Sequence, residues 1–143
     1  MTSRARFPTP MVALVLGLVA ASACSDNQTP TAPTQPTGPT TATFASAFTV
    51  NGSASRTFTT TEAGTVTMTL DSAGPPSNVV LGLGVGVPYV SGAPCLLTSS
   101  ITTAAGPGPH ISMHADPGSY CVKVYDIGKL IETVSFSISI THP

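Results

Sequence analysis

Charge is what this chain of 143 residues has least of: 8% of its residues are Asp, Glu, Lys or Arg, against about 25% in an ordinary soluble protein. Its surface therefore has to be built from the hydroxyl and backbone groups of Thr, Ser, Gly and Pro. Basic residues are the scarcest. Beyond Cys24 only Arg56, Lys123 and Lys129 stand against Asp26, Glu62, Asp71, Asp116, Asp126 and Glu132, a net of −3. That balance argues against nucleic acid or anionic lipid as a partner, because both require clustered Lys and Arg. Cysteine is limited to Cys24, Cys95 and Cys121. No apolar run reaches the roughly 20 residues of a membrane-spanning helix, and no 3.6-residue apolar period of useful length occurs outside the first two dozen residues. Length leaves room for one domain of about 100 residues with a single core.

What is present at the front is an export signal. Arg4 and Arg6 form a short basic region, and Met11 to Ala23 is an uncharged run of 13 residues, the length of a signal-peptide hydrophobic region. Small residues Ala21, Ser22 and Ala23 then lead to Cys24. The stretch "AASAC" resembles the lipobox of bacterial lipoproteins. The resemblance implies cleavage between Ala23 and Cys24, acylation (palmitate) of Cys24, and membrane attachment through that lipid; Ser25 is similar to the outer-membrane or cell-surface sorting case. "ASA" also reads as an ordinary A-x-A cleavage site, which leaves a secreted or periplasmic soluble product as the alternative.

Cysteine arithmetic bears on that choice, since three cysteines in an exported protein leave one unpaired. With Cys24 acylated, Cys95 and Cys121 remain as an even pair. In an oxidising compartment they are expected to form a disulfide contributing on the order of 3.5 kcal/mol in the chain-entropy account. Two inert buried thiols are the other reading. A zinc site on two cysteines has no obvious third and fourth ligand.

Residues 24–43 form a linker. Pro30, Pro33, Pro36 and Pro39 recur every third residue, the turn length of polyproline II. Extended in that way, the 19 residues from Ser25 to Thr43 would reach about 60 Å. As a rod or as a disordered spacer, the segment would hold a domain clear of a membrane anchor.

From Phe44 to the end the apolar period is two. "GTVTMTL" puts Val66, Met68 and Leu70 on one face and threonines on the other, and "SFSISI" does the same with Phe136, Ile138 and Ile140. "SYCVKVYD" alternates Tyr120, Val122 and Val124 with Cys121, Lys123 and Tyr125. "RTFTTT" and "HISMHA" are shorter versions, separated by turn clusters such as "DSAGPPSN", "AAGPGP" and "ADPGS". About eight such strands read as an all-β fold, a single antiparallel sandwich over residues 44–143. "NVVLGLGVGV" directs Leu81, Leu83 and Val85 one way and leaves the face of Gly82, Gly84 and Gly86 bare. The spacing is not that of a G-x-G-x-x-G nucleotide loop. A bend or close backbone approach explains the glycines, and a bare strip offers a docking surface as the alternative.

Candidate chemistry centres on "HISMHAD". On a strand His110, Ser112, His114 and Asp116 share a face, but the two histidines then lie about 13 Å apart. Zinc requires both nitrogens at about 2.0–2.1 Å, so they do not chelate one ion. Both are expected to face solvent, with Ile111, Met113 and Ala115 in the core. His142 is a strand-end residue. Glu62 and Asp116 fall in turns, no "G-x-S-x-G" nucleophile elbow occurs, and no dense acidic run supplies calcium ligands. No metal, cofactor or catalytic residue is expected.

The elements "FTTTEAGTVTMTLDS", "DPGSYCVKVYD" and "SFSISI" together resemble the bacterial pre-peptidase C-terminal domain. The matching features are the strand after Gly64, the Gly118 to Tyr120 step from turn to strand, and the alternating strand that closes the domain. This chain has Asn78, Val79 and Val80 where the family often carries an acidic strand start, so a calcium site does not carry over. The resemblance implies a jelly-roll-like β-sandwich acting as an exported, non-catalytic module. The expected function is therefore a binding or structural module, with a protein or glycan ligand, displayed from a lipid anchor. A small secreted hydrolase using His110, His114 or His142 is the alternative.

Overall fold

A computed structural model describes residues 38–89 and 95–143. Ala23 and Cys24, the cleavage and lipidation positions, lie outside the described residues, as does most of the 24–43 linker.

Eight antiparallel strands form two four-stranded sheets. They are β1 (Thr40–Phe48), β2 (Ser53–Thr60), β3 (Gly64–Gly74), β4 (Val80–Pro88), β5 (Cys95–Ala104), β6 (Ile111–Ala115), β7 (Gly118–Tyr125) and β8 (Val134–His142). One sheet has the order β1-β8-β3-β6 and the other β2-β7-β4-β5. Strands pair 1 with 8, 2 with 7, 3 with 6 and 4 with 5, so the chain is one long antiparallel hairpin rolled up into two sheets, the jelly-roll arrangement. The first strand begins at Thr40, four residues ahead of Phe44. Thr40 to Thr43 pair with Ser139 to His142, and the ladder continues wherever a partner strand offers donors, whatever the side chains suggest.

Period-two patterning determines what lies between the sheets. Val66, Met68, Leu70, Leu81, Leu83, Val85, Val122, Val124, Ile138 and Ile140 are at most 1% exposed. Phe136 and Phe44 meet edge to face at a centroid distance of 5.3 Å, and Phe136 packs against Phe48 at 5.7 Å. At the side where β1 and β2 face one another, Arg56 closes the core. Its guanidinium lies over the Phe44 ring and donates to the Thr43 carbonyl at 2.9 Å, the arrangement that lets a charged group cap apolar surface while keeping its hydrogen bonds.

The face of Gly82, Gly84 and Gly86 is covered: the close backbone approach expected from the sequence is found at Gly86, and the alternative of an open docking strip is corrected. All three glycines are buried. A Cβ on Gly82 would fall inside the Tyr125 ring, and one on Gly84 would meet the Leu97 methyls at 2.7 and 2.9 Å. Gly86 is the position that requires its missing side chain, because the Leu96 carbonyl occupies the place of a Cβ. The start of β5 thus folds over the outer face of β4. This folding explains the disulfide between Cys95 and Cys121, whose Cα atoms are 5.6 Å apart. In sheet order β4 stands between β5 and β7, and strands two apart in a flat sheet are separated by about 10 Å. Only a β5 end lifted onto β4 brings Cys95 within reach of Cys121, which pairs with Gly86 in the ladder.

Candidate binding groove

One end of the sandwich is organised by a single carboxylate. Asp126, at the end of β7, accepts through Oδ1 from the N–H groups of Gly128, Lys129 and Leu130 at 2.8, 2.9 and 3.2 Å. Its Oδ2 accepts from the Asn51 N–H at 2.8 Å. The aspartate's own N–H donates to the Gly52 carbonyl at 3.0 Å, so the turn between β1 and β2 and the loop between β7 and β8 are tied through one residue. Asn51 and Gly128 take φ values of 57° and 83°, the left-handed region that Asn and Gly enter at least cost. Desolvation acts to raise the Asp126 pKa, but the four backbone donors from Asn51, Lys129, Leu130 and Gly128 outweigh it and hold the carboxyl below its ordinary value.

A carboxylate whose folded pKa is depressed contributes stability that is present above the unfolded value and lost as pH falls through the folded one. Replacing Asp126 with Ala is therefore expected to lower the urea midpoint at pH 7. The gap to the unsubstituted protein should narrow once the pH drops below about 3.9, the ordinary aspartate pKa. Urea titrations of both proteins from pH 7 to pH 2.5 check this; a gap independent of pH would contradict it.

The ordered loop buries Leu130 and leaves the next residue, Ile131, 89% exposed. Across from it the loop between β3 and β4 turns through a hydrogen bond from the Val79 N–H to the Pro76 carbonyl at 3.1 Å. Between the two loops lies a groove of about 270 Å³. Pro75, Pro76, Val79, Leu130 and Ile131 make it apolar, and Asn78, Lys129 and Glu132 bring polar groups to it. A concave apolar surface carrying a few polar groups is the usual form of a ligand site. The chain gives no match to any known family model and none to any curated protein.

The residues singled out in the sequence lie elsewhere. His110 is not solvent-facing as expected. It is half-buried, with its own N–H donating to the Met68 carbonyl at 2.8 Å and its Nδ1 accepting from the Leu70 N–H at 3.1 Å. The β3 strand bulges between Leu70 and Ser72, and its ladder with β6 ends at Met68, so the imidazole supplies the acceptor that Leu70 would otherwise lack. His114 is exposed as expected, 3.9 Å from the Asp116 carboxylate with side chains 69% and 84% exposed, a geometry that contributes little in water. His142 ends β8, tilted against Phe58 at a centroid distance of 5.6 Å, with Nδ1 3.0 Å from the Pro143 carbonyl. The Asp116 backbone carbonyl accepts from the hydroxyls of Thr60 and Tyr120 at 2.8 and 2.9 Å. Among the described residues no three His, Cys, Asp or Glu side chains gather where they could hold a metal ion.

Removing the His110 imidazole leaves the Leu70 N–H without its acceptor, which typically costs about 1–3 kcal/mol when the group is buried. His110→Ala is expected to fall within that range, whereas His114→Ala should stay within about 0.5 kcal/mol of the unsubstituted protein. Denaturant melts of the two variants measure the difference directly; equal effects would contradict the assignment.

Asp126 and the Lys129–Glu132 segment were not identified as a site from sequence. The usable signal was "DIGK", an aspartate two residues before a glycine, which is the pattern of an Asx-type turn.

Proposed function

We propose that the protein is an exported, non-catalytic β-sandwich module, tethered through a lipid on Cys24, that contacts its ligand with the groove between the β3–β4 and β7–β8 loops. The observation that carries this reading is the groove itself: an apolar concavity on a loop that Asp126 holds in one conformation before any ligand arrives. A loop ordered in advance spares a ligand the entropic cost of ordering it. The apolar floor favours a protein segment with an aliphatic side chain over a glycan, whose hydroxyls it could not satisfy. The resemblance to the pre-peptidase C-terminal domain supports the same class of role.

A histidine-dependent hydrolase has less to stand on. His110 Nδ1 is occupied by the Leu70 N–H, His114 stands exposed 3.9 Å from Asp116, and His142 packs on Phe58 with Nδ1 against the Pro143 carbonyl, so among the described residues no serine, threonine or cysteine side chain is hydrogen-bonded to a histidine ring. General-base catalysis needs a ring nitrogen free to take a proton from the nucleophile.

Two measurements test the proposal separately. The intact mass of the natural product should show loss of residues 1–23 and the added mass of acyl chains on Cys24; an unacylated amino terminus at Cys24 would remove the tether. For the groove, amide chemical-shift changes on titrating envelope peptides and glycans should cluster at Val79, Val80 and Lys129 to Glu132 and vanish in Ile131→Asp. Shifts confined to other surfaces, or none across the panel, would remove the binding role and leave a structural one.

A further inference from the structure

Each sheet has two edges, and three of the four are obstructed. At β1 the Thr43 carbonyl is already taken by the Arg56 guanidinium. The β2 edge carries Arg56 itself, and β6 is only five residues long, with His114 near its end. Short strands and charges are the usual means by which edges avoid pairing with another chain.

The β5 edge has neither. It runs for ten residues, CLLTSSITTA, without a charge or a proline, and among the described residues nothing pairs with it on the side away from β4. Two of its apolar side chains are exposed, and Ile101 lies in the half clear of the fold over β4. Leu96 is 55% and Ile101 42% exposed, beside Val87 and Tyr89 at the end of β4. Leu96 pairs with Val87 and Ile101 with Leu83, so both lie on the side of the sheet that carries the core, where the five-residue β6 of the opposite sheet falls short of covering a strand twice its length.

We propose that β5 is a self-association edge, on which a second copy of the chain pairs antiparallel about a two-fold axis through Ile101. Opposed residues of an antiparallel pair share a face, so the axis has to pass through a residue. Centred on Ile101, the pairing sets Ile101 against its own copy, Ser100 against Thr102 and Ser99 against Thr103. The central pairs are then apolar or hydroxyl-to-hydroxyl, combinations that stabilise cross-strand contacts, and at the ends Thr98 meets Ala104. No like charges meet, because β5 has none. The two four-stranded sheets join into one of eight strands. In this register seven residues of each strand, Thr98 to Ala104, oppose one another, clear of the start of β5 that folds over β4, and a ladder of that length supplies fewer hydrogen bonds than the roughly ten of a typical interface. The apolar area is small, which places the association in the weak and concentration-dependent class.

Native mass spectrometry of the full chain released from a neutral detergent, between 1 and 100 μM, tests this. A dimer should grow with concentration. Ile101→Lys places two ammonium groups opposite each other and is expected to weaken dimerisation by about tenfold or more, since like charges directly opposed are destabilising. Thr102→Lys should weaken it less, and Val50→Lys, on the turn between β1 and β2, should leave it unchanged. Near-UV circular dichroism confirms that each variant is folded, and two β5 variants guard against failure of one. A chain that is monomeric at 100 μM, or a dimer equally stable in both β5 variants and in Val50→Lys, would overturn the proposal.

Discussion

Replacing Cys95 and Cys121 together with Ala is expected to cost on the order of 3.5 kcal/mol, from the loop entropy that the cross-link removes from the unfolded chain. The two cysteines are 26 residues apart and both are buried. For a domain of this size such a loss corresponds to a fall in Tm of about 15–25 °C. The bond also holds the start of β5 on the outer face of β4, with the Leu96 carbonyl against Gly86. Amide exchange should therefore accelerate most at Leu96 and Leu97, while β3 and β8, in the other sheet, keep their protection until global unfolding. A loss below about 1 kcal/mol, with no local change in exchange, would mean that the packing of β5 on β4 is self-sufficient and that the unfolded chain is already compact.

Gly86→Ala should be nearly as damaging although it adds one methyl group. That Cβ would meet backbone: the Leu96 carbonyl carbon at 2.6 Å and the Leu97 Cα at 2.8 Å. Backbone cannot swing aside as a side chain does, so either β5 lifts away or the β4–β7 ladder yields, at about 3 kcal/mol by comparison with overpacked cores. If β5 lifts, Cys95 moves away from Cys121, and the protein should retain titratable thiols after oxidative folding. Gly84→Ala is the control. Its Cβ meets the flexible ends of Leu97 and, less closely, the Ser99 carbonyl oxygen at 3.2 Å, a contact that a shift of a few tenths of an ångström relieves, and its cost should be about 1 kcal/mol. Thiol titration and denaturant melts of the pair distinguish a backbone collision from a general intolerance of side chains on β4; similar effects at both positions would contradict the argument.

These two expectations also show how far side-chain pattern reaches. Alternation in "GTVTMTL" and "SFSISI" marked β3 and β8 with the correct residues inward, because a strand with one face buried writes its register into composition. The strand β5 carries no such mark. Both of its faces are largely exposed along Leu96 to Thr102, so leucine, threonine and serine follow one another without period, and nothing local distinguishes it from a loop. Thr40 to Thr43 were assigned to the linker for a similar reason. Their side chains are mostly exposed, and only the partner strand β8 makes them part of the sheet.

The site was less legible than the fold. His110 and His114 look equivalent in "HISMHA", yet one satisfies a bulge and the other faces water, a difference set by where β6 stops pairing with β3. The groove draws on residues about 50 positions apart, Pro75 to Val80 and Lys129 to Glu132, and no spacing rule along the chain connects them.

Composition and period determined by themselves that the domain is all-β, that one face of most strands is apolar, and that Cys95 and Cys121 were available as a pair. Those properties follow from nearest neighbours along a strand and from counting. Which edge stays open, why Gly86 has to lack a side chain, and which carboxylate orders the loop were decided only in three dimensions. Each depends on a backbone group brought from a distant part of the chain, and the position of a backbone group is not encoded in the residue that meets it.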